Sequence, residues 1–151
     1  MRIYLDNCCY NRPFDDQTQL RISLESQAKL HIQEMIKNGK YDLVSSFILL
    51  YENSQNRIQS KKRIISDFIN EFCAVYVGED QSETVRSIAK EITKNGIKPA
   101  DSVHVACAII ASCDYFLTTD DRLLKYTSDK IKVINPTEFI RIEGGNNNEQ
   151  F

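Results

Sequence analysis

Hydrophobic positions change their spacing several times along the chain. Arg2 to Leu5 is a short β-branched and aromatic run that stops at Asp6, which predicts a strand. A polar, cysteine-rich loop follows, containing Arg12 and Pro13. Leu20, Leu24, Ala28, Ile32 and Met35-Ile36 then recur three or four residues apart, so a helix is expected over Gln17 to Asn38, with Gly39 as its stop. Tyr41 to Val44 reads as a second strand. Ser45-Ser46 closes it and offers N-caps for a helix that carries Glu52. Ser60 to Phe72 is helical, with Ile64, Ile65, Phe68 and Ile69 on one face, and Ala74 to Val77 is a strand.

The second half repeats this alternation. Ser82 to Lys94 is a helix ended by Asn95-Gly96. Pro99 suits the first turn of another, whose stripe is Ala100, Val103, Ala106-Cys107 and Ile110. Tyr115 to Leu117 is a strand running into Thr118-Thr119-Asp120-Asp121. Lys130 to Ile134 is the last strand, and Pro136 opens a short helix. Residues 1–142 form one domain, and the low-complexity segment 143–151 is expected to be a disordered tail. Strands alternating with helices predict an α/β fold with a mostly parallel sheet covered on both faces. In such sheets, functional groups gather beyond the carboxyl ends of the strands.

Composition narrows the class. The chain has 151 residues, 42% of them hydrophobic, as expected of a globular domain. Five cysteines cannot all pair, and none stand as Cys-x-x-Cys, so reduced thiols in a cytoplasmic protein are expected rather than a disulfide or zinc framework. No signal peptide or membrane-length apolar run is visible. A net charge of −2 advertises no basic field for nucleic acid.

Carboxylates carry the chemistry. Asp6 ends the first strand, Asp120 and Asp121 follow the strand at Tyr115 to Leu117, Glu52 lies about two turns beyond the second strand, and Asp101 sits in a first helical turn. A parallel sheet can bring all of these to one edge. Like charges there raise each other's pKa and call for a counter-ion. Oxygen donors without histidine or cysteine partners suit Mg²⁺ or Mn²⁺. Each acid alone has an ordinary alternative as a turn former, helix cap or solvated residue.

The first strand with Asp6, Ser45-Ser46 before Glu52, "KPADSVHVACA" and "DYFLTTDD" together resemble a PIN domain, closest to the single-domain VapC-like toxins. The resemblance covers Met1 to Ile140. It implies a three-layer α/β/α sandwich and a metal-dependent endoribonuclease, the toxin of a type II toxin–antitoxin pair. It also implies Mg²⁺ or Mn²⁺ held by Asp6, Asp101, Glu52 and Asp120. Thr118 matches the family's supporting hydroxyl, and Asp121 is an ambiguous neighbour of Asp120. Asn7 stands where many relatives have Thr or Ser, and an amide can donate a hydrogen bond in the hydroxyl's place. Arg12 and Arg122 flank acidic positions and are expected to hold the RNA backbone, whereas Lys61 to Arg63 reads as a solvated face. His104, three residues after Asp101, is expected as a satisfied core histidine ahead of a supporting group beside the acids, and not as a metal ligand. Expected partners are RNA and a cognate antitoxin; many relatives dimerise.

Other classes fit less well. A binding module with a degenerate site would not need all four acids. Haloacid-dehalogenase phosphatases place a second Asp two residues after the first, where this chain has Cys8. A receiver domain needs a lysine at the end of the last strand, where this chain has Asn135-Pro136.

Overall fold

The computed structural model describes residues 1–148. Five strands, β1 (Arg2–Leu5), β2 (Asp42–Ser46), β3 (Cys73–Val77), β4 (Tyr115–Leu117) and β5 (Lys132–Ile134), form one sheet in the order β3-β2-β1-β4-β5. Every pairing is parallel. The central strand, β1, is apolar on both faces, as a parallel strand covered from both sides must be. Ile3 and Leu5 turn to one core and Tyr4 to the other, all fully buried.

Two helical layers cover these faces. On the Tyr4 side, α5 (Ser82–Thr93) and α6 (Pro99–Ile110) bury Val85, Ala89, Ile92, Val105 and Ala106 against Val44 and Phe116. On the Ile3 side, α2 (Leu20–Lys37), α4 (Gln59–Phe72) and α8 (Pro136–Asn148) bury Ile32, Ile36, Ile65, Phe68 and Phe139. Between them lie α1 (Asn7–Asn11), α3 (Phe47–Ser54), α7 (Asp121–Leu124) and short 3₁₀ turns at Arg12–Phe14 and Glu79–Gln81. The expected α/β/α sandwich with a parallel sheet is therefore the observed one.

The differences are local. The cysteine-rich segment after Asp6 is a helix, α1, and not a loop. Its cause is Asp6 itself, whose Oδ1 accepts the Asn7 N–H at 2.8 Å and starts the turn, while Cys9 and Tyr10 pack into the core beneath. The polar look of "NCCYN" hid those two core residues. Strand β2 runs through both serines, and Ser46 also caps α3, its Oγ accepting the Leu49 N–H. Helix α2 starts at Leu20 because Asp16 takes the Thr18 N–H and hydroxyl into a turn. Helix α8 continues to Asn148, through six positions of the segment expected to be a disordered tail; residues 149–151 lie outside the described residues. Among the described residues, no helix is long and apolar enough to cross a membrane.

Candidate active site

The carboxyl ends of β1 and β4 lie side by side, because Leu5 pairs with Leu117. The Asp6 N–H extends the ladder by donating to Leu117 O at 2.9 Å. Asp6 is thereby fixed next to Thr118. The Thr118 hydroxyl, fully buried, donates to Asp6 Oδ2 at 2.8 Å and accepts the Asp120 N–H at 3.1 Å. One side chain thus sets two acids. Asp120 Oδ1 accepts the Arg122 N–H at 2.9 Å and caps α7.

Asp101 projects from the first turn of α6. Its pKa is raised, first by burial and then by the negative charges of Asp6, Asp120 and Glu52, with His104 opposing them. Three other segments far apart in the chain therefore act on this carboxyl group, together with His104 of its own helix.

Glu52, on α3, is held from across the site. His104 Nε2 lies 2.9 Å from Glu52 Oε1, close enough for an ion pair although the N–H is not well aligned for a linear hydrogen bond. On its other side, His104 Nδ1 and the Tyr4 hydroxyl are 2.6 Å apart, and Tyr4 is 2.6 Å from Ser46 Oγ. Burial alone would lower the His104 pKa. The Glu52 contact, with Asp6 and Asp101 behind it, more than reverses this, and the net shift is upward. The acids around the ring favour its protonated form, and the side chain links Tyr4 to Glu52 within the acidic group. Only its three-residue spacing from Asp101 hinted at this in the sequence.

The remaining candidates divide. Asp121 is held apart from the other four acids, gripped by the Arg21 guanidinium at 2.8 and 2.9 Å, which holds its carboxyl below the usual range. This favours Asp120 as the fourth acid. Arg12 is committed to Glu25 at 2.8 Å and Asp15 at 3.2 Å. Asn7 serves Asp6 through its backbone N–H, while its side-chain oxygen accepts from Asn11. Arg122 is exposed beyond Asp120. Cys8, which the sequence left without a role, lies at the site: its Sγ is 3.5 Å from Asp6 Oδ2, 3.4 Å from Thr118 Oγ1, and accepts the Thr119 N–H at 3.3 Å.

As the side chains stand, no three His, Cys, Asp or Glu groups among the described residues form a ready-made metal cage. The donor chemistry fits a hard divalent ion nonetheless. The acids offer oxygen donors only, and the raised Asp101 pKa marks a field that a cation relieves.

No family model matches the chain, and no curated protein matches it significantly. Solved structures do. The crystal structure of VapBC2 from Rickettsia felis, bound to a DNA fragment from their promoter, contains a chain similar to this one at a TM-score of 0.57 and 13% identity, covering 89% of this chain and 98% of that one. A chain of FitAcB from Neisseria gonorrhoeae is similar at a TM-score of 0.53 and 21% identity, covering 89% of this chain and 97% of that one. At such identities the likeness is one of fold: the five-stranded parallel sheet and its two helical layers match the PIN-like architecture of these neighbours across nearly their whole length.

Proposed function

We propose that the protein is a metal-dependent endoribonuclease that hydrolyses RNA phosphodiester bonds, the toxin of a cytoplasmic toxin–antitoxin pair. The feature that carries the reaction is the pairing of Asp6 and Asp120 on the Thr118 hydroxyl, with Asp101 and Glu52 near enough for all four charges to interact. The sequence resemblance to VapC-like toxins and the fold shared with a VapBC2 chain support the biological role and a cognate antitoxin as partner.

Asp6 and Asp101 are the inner ligands of this reading, with Glu52 and Asp120 completing the site. Bound Mg²⁺ or Mn²⁺ supplies positive charge to a phosphodiester oxygen and acidity to the attacking water. The Thr118 hydroxyl fixes the direction of Asp6 and, by accepting the Asp120 backbone N–H, the position of Asp120. His104 keeps Glu52 at the pocket and offsets part of the negative charge.

Total RNA incubated with purified protein and Mg²⁺, Mn²⁺ or EDTA tests the activity. Cleavage is expected with metal and not with EDTA. Asp6→Asn and Asp101→Asn are expected to abolish it while remaining folded. Melting with and without Mn²⁺ is an independent readout: at a hundred times Kd, binding adds about 2.7 kcal/mol to the native state. The wild type should gain this and both variants should lose it. Undiminished cleavage by both variants overturns the site. A Mn²⁺-dependent melting shift without cleavage of any RNA favours a binding module.

A further inference from the structure

Beside the acidic group lies an open pocket of about 330 Å³ with a different character. One wall is the turn between α5 and α6, including Asn95 and Ile97; the other is the end of α7, with Arg122, Lys125 and Tyr126. Each wall is joined to an acid of the site by a few residues of chain. Ile97 is four residues before Asp101, and Arg122 is two residues after Asp120.

The lining suits a nucleic-acid strand. Leu123 is buried and anchors α7 in the core, while Arg122 and Lys125, three residues apart, share an exposed side. Among the described residues neither has a salt-bridge partner. The acid beside them, Asp121, is taken by Arg21, and Asp120 uses its carboxylate on a backbone N–H. Two cations are left facing solvent in a chain whose net charge is −2. Tyr126 is half-buried, braced with Ile97 against the Val85 core, so its ring is fixed and partly presented. Unpaired cations beside a fixed aromatic ring are the components of a single-strand platform: charge for phosphates and a face for a base.

We propose that this pocket is a nucleotide subsite for single-stranded RNA, Arg122 and Lys125 holding phosphate and Tyr126 stacking a base, next to the scissile bond. It deepens the nuclease reading and rests on it for the identity of the strand. Lys61 and Lys62, in contrast, belong to the opposite layer, and the Lys61 ammonium lies over the Phe14 ring.

The test is the binding of a fluorescein-labelled 12-nucleotide single-stranded RNA, read by anisotropy in EDTA so that nothing is cut, across a salt series. Arg122→Gln and Lys125→Gln should each reduce the slope of log K against log salt by about 0.7. Tyr126→Leu should weaken binding roughly tenfold at unchanged slope, and Tyr126→Phe should restore it. Lys61→Gln/Lys62→Gln should leave both quantities as in the wild type. If the wild type binds and Arg122→Gln/Lys125→Gln binds equally well with the same slope, the subsite is overturned. The nuclease reading survives that result if the wild type still cuts RNA with Mn²⁺. If the lysine pair on α4 lowers the slope as much as the α7 pair, binding is diffuse and the subsite is likewise overturned. A wild type that neither binds nor cuts RNA removes both readings.

Discussion

Thr118 concentrates more of the site's geometry in one atom than any of the acids does. Its buried Oγ1 meets Asp6 on one side and the Asp120 N–H on the other. Thr118→Val keeps the shape and deletes both bonds, leaving a buried N–H unpaired. Denaturant unfolding should show a loss of about 1–3 kcal/mol, and cleavage should fall at least tenfold. Lys29 offers a contrasting case. It is 6% exposed, between the Tyr10 and Phe68 rings, with Gln33 as its polar partner. Burial lowers its pKa to about 8. A lysine whose folded pKa is depressed costs stability while pH is below that value. The cost fades as pH rises from about 8 to the ordinary 10.5. Lys29→Met should therefore stabilise the protein by about 1–3 kcal/mol at pH 7, and the advantage should vanish above pH 10.5. Urea titrations at both pH values check this.

At the scale of elements, the site is assembled by ties between strands and helices that adjacent sequence cannot reveal. The Tyr4 hydroxyl joins β1 to the end of β2 through Ser46 and to α6 through His104, and His104 in turn reaches Glu52 on α3. Tyr4→Phe removes this junction while its ring remains stacked on Phe116. A loss of about 1–3 kcal/mol is expected, with cleavage reduced through displaced Glu52 and the Mn²⁺ melting shift diminished. Most elements were legible because helical and strand periods were clear and Gly, Pro and Ser marked their ends. Helix α1 was not, because its period is one turn and its two buried residues are a cysteine and a tyrosine in a polar run. The tie between Tyr4 and His104 was not legible because the two are a hundred residues apart. The fates of Arg12 and Asp121 were hidden by Glu25 and Arg21 on α2, the first buried and the second exposed, which look alike as surface charge in the sequence.

For the whole molecule, the charge pattern predicts how stability varies with pH. His104 has a raised pKa, so its contribution is full below the ordinary value of 6.5 and is lost as pH rises through the folded value. Lys29 acts in the opposite sense above about 8. Metal-free protein should therefore lose stability as pH rises above 6.5 and regain some between about 8 and 10.5. His104→Gln should remove the first slope and leave the second, as read by thermal melting across the pH range. The layered architecture follows from the alternation of elements, but the strand order does not: it depends on which edges pair, and only the folded sheet puts the first strand in the middle.

That central position has a consequence for synthesis. Strand β1 is made before the other four strands, yet one of its edges waits for β2 and the other for β4. The acids at positions 6, 52, 101 and 120 cannot meet until the whole stretch from Asp6 to Asp120 has emerged. At ~5–20 residues per second this is a delay on the order of ten seconds. During that time the nascent chain carries no assembled site. On the reading proposed above, a toxin so arranged cannot act while it is being made, and a cognate antitoxin already present has that interval in which to be at hand when the last acid falls into place.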